Sequence, residues 1–532
     1  MSDNRLKIFI YYPIVLAVVL ACGIYLGSIL GIGFIPGSVV ESSTSNSKKI
    51  TNLLNYVQEE YVDTIDLDGL TESTIIKMLD QLDPHSAYIP ARDLDAMNEP
   101  LNGNFDGIGV EFNIISDTIV VVAPINGGPS EKLGIRSGDR IVTIEDSLIA
   151  GIGITNKDVM SMLRGERGTI VKIEIFRRGV KKLLQFDIER DKIPIYSVDA
   201  GYMVNKKVGY IKISRFGATT FDEFLEKLDK LKDDGMESLI LDLRGNPGGY
   251  LNAAINICDE FLKEGQLIVY TEGRSRPKDS AFATRNGDFE KGKLAVLVDE
   301  GSASASEIVS GAVQDNDRGV IIGRRTFGKG LVQEQVQLAD GSAVRLTIAR
   351  YYTPTGRCIQ RPYGADDDYY GDYFDRIKSG ELYEQDSMVI DKTDRFVTPG
   401  GKVVYGGGGI MPDIFVAVDT TWYTEFYAQL LNKGLLREYA VNYSSRNAAK
   451  IAAFESASDF KKNFTFSSAD FADLVAFSKA KKVDVQDAEK AKEDVLRNLK
   501  ALIARSKWNG EGFYPIINEK DRMIESALEA LR

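Results

Sequence analysis

Four short apolar runs, VGYIKI at 208–213, SLILDL at 238–243, LAVLVD at 294–299 and GVIIG at 319–323, alternate with stretches of helical pattern. The helical stretches are TTFDEFLEKLDKLKDD, YLNAAINICDEFL and SASEIVSGAVQD. A strand that is apolar throughout must be covered on both faces, and strands joined through helices run parallel. The alternation therefore predicts a mainly parallel sheet flanked by helices. LIVY, from Leu267, reads as a further strand of the series. Sites in such sheets form beyond the carboxyl ends of strands, where RGNPGG and EGSASASE both fall.

The regions around this core differ in pattern. Arg5 and Lys7 precede an uncharged apolar run from Ile8 to Ile35, longer than the ~20 residues that cross a bilayer. The positive flank predicts a cytoplasmic N-terminus and an exported body. The apolar region of a cleaved signal peptide is usually only ~7–15 residues, and the run continues well past Cys22, which argues against lipidation there. SSTSNSKK then reads as a tether, and Leu53, Leu54, Val57 and Tyr61 recur at helical spacing. From Asn102 the runs VEFNII, TIVVVAPI and RIVTIE are β-like, with a short helical pattern at 156–164. LVQEQVQL and AVRLTIARYY read as a hairpin around ADGS, and residues 361–396 read as an exposed insertion rich in Asp, Tyr and Lys. The expected division is a membrane anchor at 1–41, a linker and N-terminal helical region at 42–101, a β-rich domain at 102–191, an α/β core at 192–415 carrying that insertion, and a helical region at 416–532.

With 44% hydrophobic and 27% charged residues over 532 positions, the chain is globular. A net charge of −12 with both signs interspersed gives no reason to expect nucleic acid. Cys22, Cys258 and Cys358 are the only cysteines, in no metal-binding arrangement, so no cofactor is expected.

EGSASASE raises the chemical question. A serine at a strand-to-helix turn meets backbone N–H groups and the positive end of the helix, both suited to an oxyanion. Equally, Ser and Ala there allow a helix to pack closely on a sheet, with one serine as its N-cap. The usual partner base is missing, since the single histidine, His85, lies far upstream. Lys329, flanked by Gly328 and Gly330 after a strand, is a substitute, because burial lowers a lysine pKa toward the neutral range. The run from Gly323 through Gly328, Lys329 and Gly330 falls one residue short of a phosphate-binding loop and precedes a strand pattern, so ATP binding is rejected. Gln333 shares a strand face with Lys329 and can orient its ammonium. Asp315 lies ~16 Å along the helix axis from Ser304, too far to orient a base there, and reads as structural. The glycine pair of DLRGNPGG offers N–H groups for an oxyanion hole.

LDPHSAYI, FDGIGVEF, GIRSGDRI, DLRGNPGG, GSASASEI, QDNDRG, TFGKGLVQ and YYTPTGRCIQ follow in this order. Over roughly residues 50–415 the chain thereby resembles the carboxyl-terminal processing, or tail-specific, serine proteases. The resemblance implies an α/β core of the Clp-protease/crotonase type with an inserted PDZ domain at about 102–190. It implies Ser304 as nucleophile, Lys329 as general base, Gln333 as the residue that positions it, and the N–H groups of Gly249 and Ala305 as the oxyanion hole. Gly107, Ile108, Gly109 and Val110 match the loop that captures a substrate's terminal carboxylate, while strand addition and an apolar pocket read its last side chains. The chain is accordingly expected to be a single-pass membrane endopeptidase, cleaving exported or envelope proteins with free apolar C-termini. Pairing with a second copy or an adaptor stays open. A catalytically silent membrane-tethered PDZ scaffold and an acyl-thioester enzyme on a similar core are the alternatives.

Overall fold

A computed structural model describes residues 44–284, 287–364, 369–387 and 393–532. The expected anchor lies outside the described residues, among which no helix is long and apolar enough to cross a membrane. The chain divides into two compact units, residues 1–75 and 76–532. The first contains the helix Thr44–Glu60; all that follows concerns the second.

Its centre is a six-stranded sheet in the order Val198–Met203, Val208–Ile213, Ser238–Asp242, Lys293–Val298, Val320–Gly323, Ile414–Phe415. The first pair is antiparallel and the remaining four pairings are parallel. Every residue of Val208–Ile213 and of Ser238–Asp242 is buried, as two-faced cover requires. Successive side chains alternate between two cores. Ile211, Ile213, Leu239, Leu241, Val296 and Val298 meet Phe224, Leu228 and Leu231 of the helix Thr220–Asp233 and Ile308, Val309 and Ala312 of the helix Ala305–Asp315. Tyr210, Ile240, Ala295, Leu297 and Ile322 face the other way, onto Met523, Ile524 and Ala527 of the helix Arg522–Ala530. The last residues of the chain therefore close the second face of the sheet. Asp521, which caps that final helix, also accepts from Arg244 Nη1 at 2.6 Å, tying it to the RGNPGG turn.

The strand begun by LIVY, Leu267–Gly273, is not in this sheet. It pairs antiparallel with Arg276–Phe282 and with Ala343–Tyr352 in a second sheet that also takes Ala87–Ile89 and Leu331–Gln337. Only two of its seven residues, Ile268 and Val269, are buried, so it has one wet face, and a four-residue apolar run does not distinguish that from two-sided burial.

Residues 110–189 form an antiparallel sheet, order Val110–Ile114, Ile119–Pro124, Arg140–Ile144, Ile170–Phe176, Leu184–Glu189, with Ser147–Leu148 beside Arg140–Ile144. This module has its own core, including Ile119, Ile141, Val171 and Ile188, under the helix Asn156–Leu163. Asn104–Gly107 pairs with Asp191–Pro194 at its neck. Helices from Glu425 onward build a further core around Tyr439, Phe460, Leu474 and Val495, and Val441 packs on Ile115 and Val120 of the β module.

Asp315, at the far end of the helix Ala305–Asp315, is fully buried and accepts from Arg357 Nη2 at 2.7 Å. Arg357 also reaches Gln314 Oε1 and the Tyr405 carbonyl. Arg357→Met leaves Asp315 buried and unpaired, and a loss of about 3–5 kcal/mol of stability is expected. Thermal unfolding of the variant, beside an Asp315→Asn, Arg357→Met pair that should recover part of the loss, checks this.

Candidate active site

Ser304 stands between the strand Lys293–Val298 and the helix Ala305–Asp315 with φ 54° and ψ −111°. Positive φ in a residue with a Cβ costs about 1–3 kcal/mol and persists only where the surroundings impose it. They do so here. Asp299 Oδ1 accepts from the N–H groups of Gly301 and Gly245, and the Asn246 carbonyl accepts from Ala303 N–H and from Ser306 Oγ, both at 2.9 Å. The three serines are thereby separated. Ser302 is buried and its hydroxyl donates to the Leu243 carbonyl, Ser306 is buried on Asn246, and Ser304 lines an open cleft of about 710 Å³.

Lys329 and Gln333 line the same cleft. The loop carrying Lys329 is clamped from two sides. On its N–H side stands Glu307, wholly buried, whose Oε1 accepts from Thr326 Oγ1 (2.6 Å) and Gly328 N–H (2.7 Å). Its Oε2 accepts from Lys329 N–H (2.9 Å) and Ser304 N–H (2.8 Å). One carboxylate thus binds the backbone of the serine turn and that of the lysine loop. On the carbonyl side stands Arg376, which donates to the carbonyls of Arg325, Thr326 and Phe327. It belongs to the helix Asp372–Ser379 inside the segment expected to be exposed. That expectation is corrected in part: Arg361, Tyr369, Arg376, Glu381 and Leu382 are buried, while Tyr370, Tyr373, Phe374 and Tyr383 are exposed. Mutual pairing, as between Arg325 and Glu381, lets charged residues fill positions where periodicity looks for aliphatic ones.

Burial is the main cause that lowers the Lys329 pKa; the Arg345 cation lowers it further, while Glu307 and Asp83 oppose. Gln333 Nε2 donates to Thr347 Oγ1 at 3.3 Å, and that hydroxyl donates onward to Asp83 Oδ1 at 3.0 Å. With its proton committed to Asp83, Thr347 can only accept from Gln333, so the amide nitrogen faces Thr347 and the amide oxygen is left for an ammonium. Asp83 is itself fixed by Ser86 Oγ and by the N–H groups of His85 and Ser86. Among the described residues no hydrogen bond joins Lys329 Nζ to Ser304 or Gln333, the usual state of such pairs without substrate.

The Phe216–Gly249 bridge uses the Gly248 carbonyl and the Tyr250 N–H, leaving the Gly249 N–H unused by it. Ala305, the first residue of its helix, has an N–H with no intrahelical acceptor. The glycines are obligatory here, since a Cβ on Gly248 would lie 2.8 Å from Ser304 Cβ and one on Gly249 would lie 2.0 Å from the Phe216 oxygen. His85 is placed beside Lys329 by the fold, in an adjoining cavity. Its Nε2 is 2.8 Å from Tyr369 Oη, and burial, followed by the Lys329 charge, pushes its pKa down to about 4. Gly107 to Val110 lie elsewhere, at the neck of the β module. There the carbonyls of Ile108 and Gly109 are taken by Ser130 and Ile125, while the Ile108 and Gly109 N–H groups have no acceptor among the described residues. No group of three or more His, Cys, Asp or Glu side chains is placed to hold a metal among the described residues.

Residues 207–370 match peptidase family S41. The carboxy-terminal-processing protease of Bartonella bacilliformis is 38% identical over 335 residues, covering 60% of this chain and 76% of that protein. The chain belongs to peptidase family S41. It is a serine-type peptidase, a carboxy-terminal processing protease acting on protein substrates. A carboxy-terminal processing protease of Bacillus subtilis is 34% identical over 323 residues, covering 60% of this chain and 68% of its own length. Among solved structures, the photosystem II D1 C-terminal processing protease is 27% identical with a TM-score of 0.37, covering 70% of this chain and 88% of that one. Residues 426–509 match a family of unknown function, DUF8443.

Glu307, Asp83, Thr347 and Arg376 were not reached by sequence reasoning. Glu307 had a signal, because Ser304-Ala-Ser-Glu307 is the Ser-x-x-Glu pattern of a helix start. Glu307→Gln replaces an acceptor oxygen by an amide that faces donors. A drop of about 100-fold in kcat is expected, as for a displacement on the order of 1 Å between reacting groups, with little change in KM. Steady-state kinetics that stay within about twofold of wild type would remove Glu307 from this role.

Proposed function

We propose that this peptidase is a membrane-anchored endopeptidase that binds apolar C-terminal tails through its β module and cuts exported or envelope proteins with a Ser304–Lys329 dyad. The observation that carries the reading is the shared carboxylate. Glu307 ties the N–H of a strained, solvent-accessible serine to that of a half-buried lysine lining the same cleft.

In the reaction Ser304 Oγ attacks the scissile carbonyl carbon as neutral Lys329 Nζ takes the hydroxyl proton. The carbonyl oxygen becomes an oxyanion and receives the N–H groups of Gly249 and Ala305. The tetrahedral intermediate collapses, the C–N bond breaks, and Lys329 returns the proton to the leaving amine. Water, deprotonated by the same lysine, then hydrolyses the acyl-enzyme ester and frees Ser304. Gln333, its amide oxygen presented by the Thr347–Asp83 relay, steadies the ammonium between steps.

For the tail, Val110–Ile114 is the end strand of its sheet and supports recognition by strand addition, with the Ile108 and Gly109 N–H groups meeting the terminal carboxylate. The anchor reading rests on the apolar run from Ile8 to Ile35 behind Arg5 and Lys7, which places the body on the exported side.

Ser304→Ala and Lys329→Ala are each expected to lower cleavage of a loosely folded reporter with an apolar tail by ~10³-fold or more, while tail binding persists. Mass spectrometry of the products checks this, and full cleavage by either variant would reject the dyad. The pH profile tests the base separately. Activity needs neutral Lys329, so kcat/KM rises with pH through its lowered pKa. Arg345→Gln removes a cation that lowers that pKa. The pKa rises, a larger fraction of Lys329 is protonated at any given pH, and the rising limb is expected at higher pH than in wild type. An unmoved limb would mean that Lys329 is not the titrating base.

A further inference from the structure

Beside the Ser304 cleft lies a second cavity of about 570 Å³, within the size range of ligand sites. Pro247 and Lys329 line both spaces, and Ala303, which lines the second, is the residue before Ser304. A peptide bond presented to Ser304 therefore has this cavity next to it. Resting on the Ser304 reading, we propose that the cavity is a subsite that receives a large apolar side chain, preferably aromatic, from one of the two substrate residues flanking the scissile bond.

The chemistry of the wall selects that class. Phe327 and Tyr369 lie edge to face at 6.0 Å and Tyr369 and Tyr370 at 5.9 Å. Both pairs stand near right angles, the arrangement to which a further ring adds favourably. Apart from Lys329, the charged members are committed elsewhere. Arg361 is bound to Asp372 and to the Tyr369 carbonyl, Arg376 to the lysine loop, and Glu300 to Arg324 at 2.8 Å. Asp299 accepts from the Gly245 and Gly301 N–H groups. A Lys side chain entering here would lose water without gaining a free counter-ion, and a Glu would find only Lys329, whose pairing as an ammonium would remove the base.

The wall is also built before substrate arrives. Tyr369 is held by His85 through its hydroxyl, and the Arg361 guanidinium is sandwiched 4.1 Å from the Phe327 ring and 3.9 Å from the Tyr369 ring. Tyr369, Tyr370 and Tyr373 come from the segment that also carries Arg376, and that segment thus contributes to selectivity as well as to holding the lysine.

The test uses the full chain and a peptide series with a common apolar tail, varied as Ala, Leu, Phe, Tyr, Lys or Glu at each residue flanking the cut. Apolar pockets discriminate by roughly 10–200-fold. Wild type is therefore expected to prefer Phe or Tyr to Ala by about tenfold or more in kcat/KM at one of the two positions, with Lys and Glu lowest. Tyr369→Ala is expected to bring that ratio toward one. Tyr373→Ala, at the exposed rim, should lower it as well without touching the Tyr369–His85 bond, and it decides the matter if Tyr369→Ala does not fold. No preference at either position, or the wild-type ratio in both variants, overturns the subsite. Ser304→Ala distinguishes the two readings: cleavage by that variant removes the nucleophile assignment, whereas its inactivity, together with the wild-type ratio in Tyr369→Ala and Tyr373→Ala, removes the subsite alone.

Discussion

The site hangs on one buried carboxylate. Glu307 accepts four hydrogen bonds, two on each oxygen, from a serine turn and a lysine loop that come from different strand ends. Burial raises its pKa, and the four donors oppose that rise. Without donors such a charge would be costly to bury, and with them it becomes a rigid joint. That bond alone does not require the positive φ of Ser304, since Thr155 and Ser467 bond the third residues of their helices at φ −102° and −81°; the turn held by Asp299 and Asn246 imposes it.

Around that joint the protein uses buried ionic groups where a small domain would use aliphatic packing. Arg376 holds three successive carbonyls, and burial together with the neighbouring Arg325 charge pushes its pKa down to about 10. Arg325 is paired with Glu381, and Arg361 lies between two rings. Such groups are directional, so they fix a loop conformation that apolar contacts alone would leave loose, at the cost of desolvating several charges. The glycines beside Lys329 make the arrangement necessary. A loop with Gly328 and Gly330 has little intrinsic preference for one shape, and the clamps supply it.

What the sequence revealed follows from this. Val208–Ile213 and Ser238–Asp242 are buried on both faces and so read as continuous apolar runs between helical stretches, which made the central sheet legible. Leu267–Gly273 was not, because a short apolar run carries no record of which sheet it joins. Lys329 and Gln333 stood out as candidates in their segment and Ser304 was chosen among three serines only through the family resemblance, but what orients them was not legible. Thr347 and Asp83 are separated by 264 positions, and no local pattern links them. His85 looked remote for the same reason. The segment at 361–396 was read as exposed from its charges, yet Arg361, Arg376 and Glu381 are buried while Asp375, Lys378, Glu384 and Asp386 are exposed, and composition does not tell the two sets apart.

In the proposed role Lys329 must be neutral to take a proton, yet it lies near a carboxylate that favours its charged form. Had Glu307 paired with the ammonium directly, the lysine would be held protonated and would not serve as a base. Instead its oxygens are occupied by backbone N–H groups and the Thr326 hydroxyl. Those donors absorb the negative charge and leave the amine to burial and to the Arg345 cation, both of which lower its pKa. Placing the carboxylate on the lysine's backbone N–H rather than on its amine fixes the residue in position without pairing its amine, as the proposed base role requires.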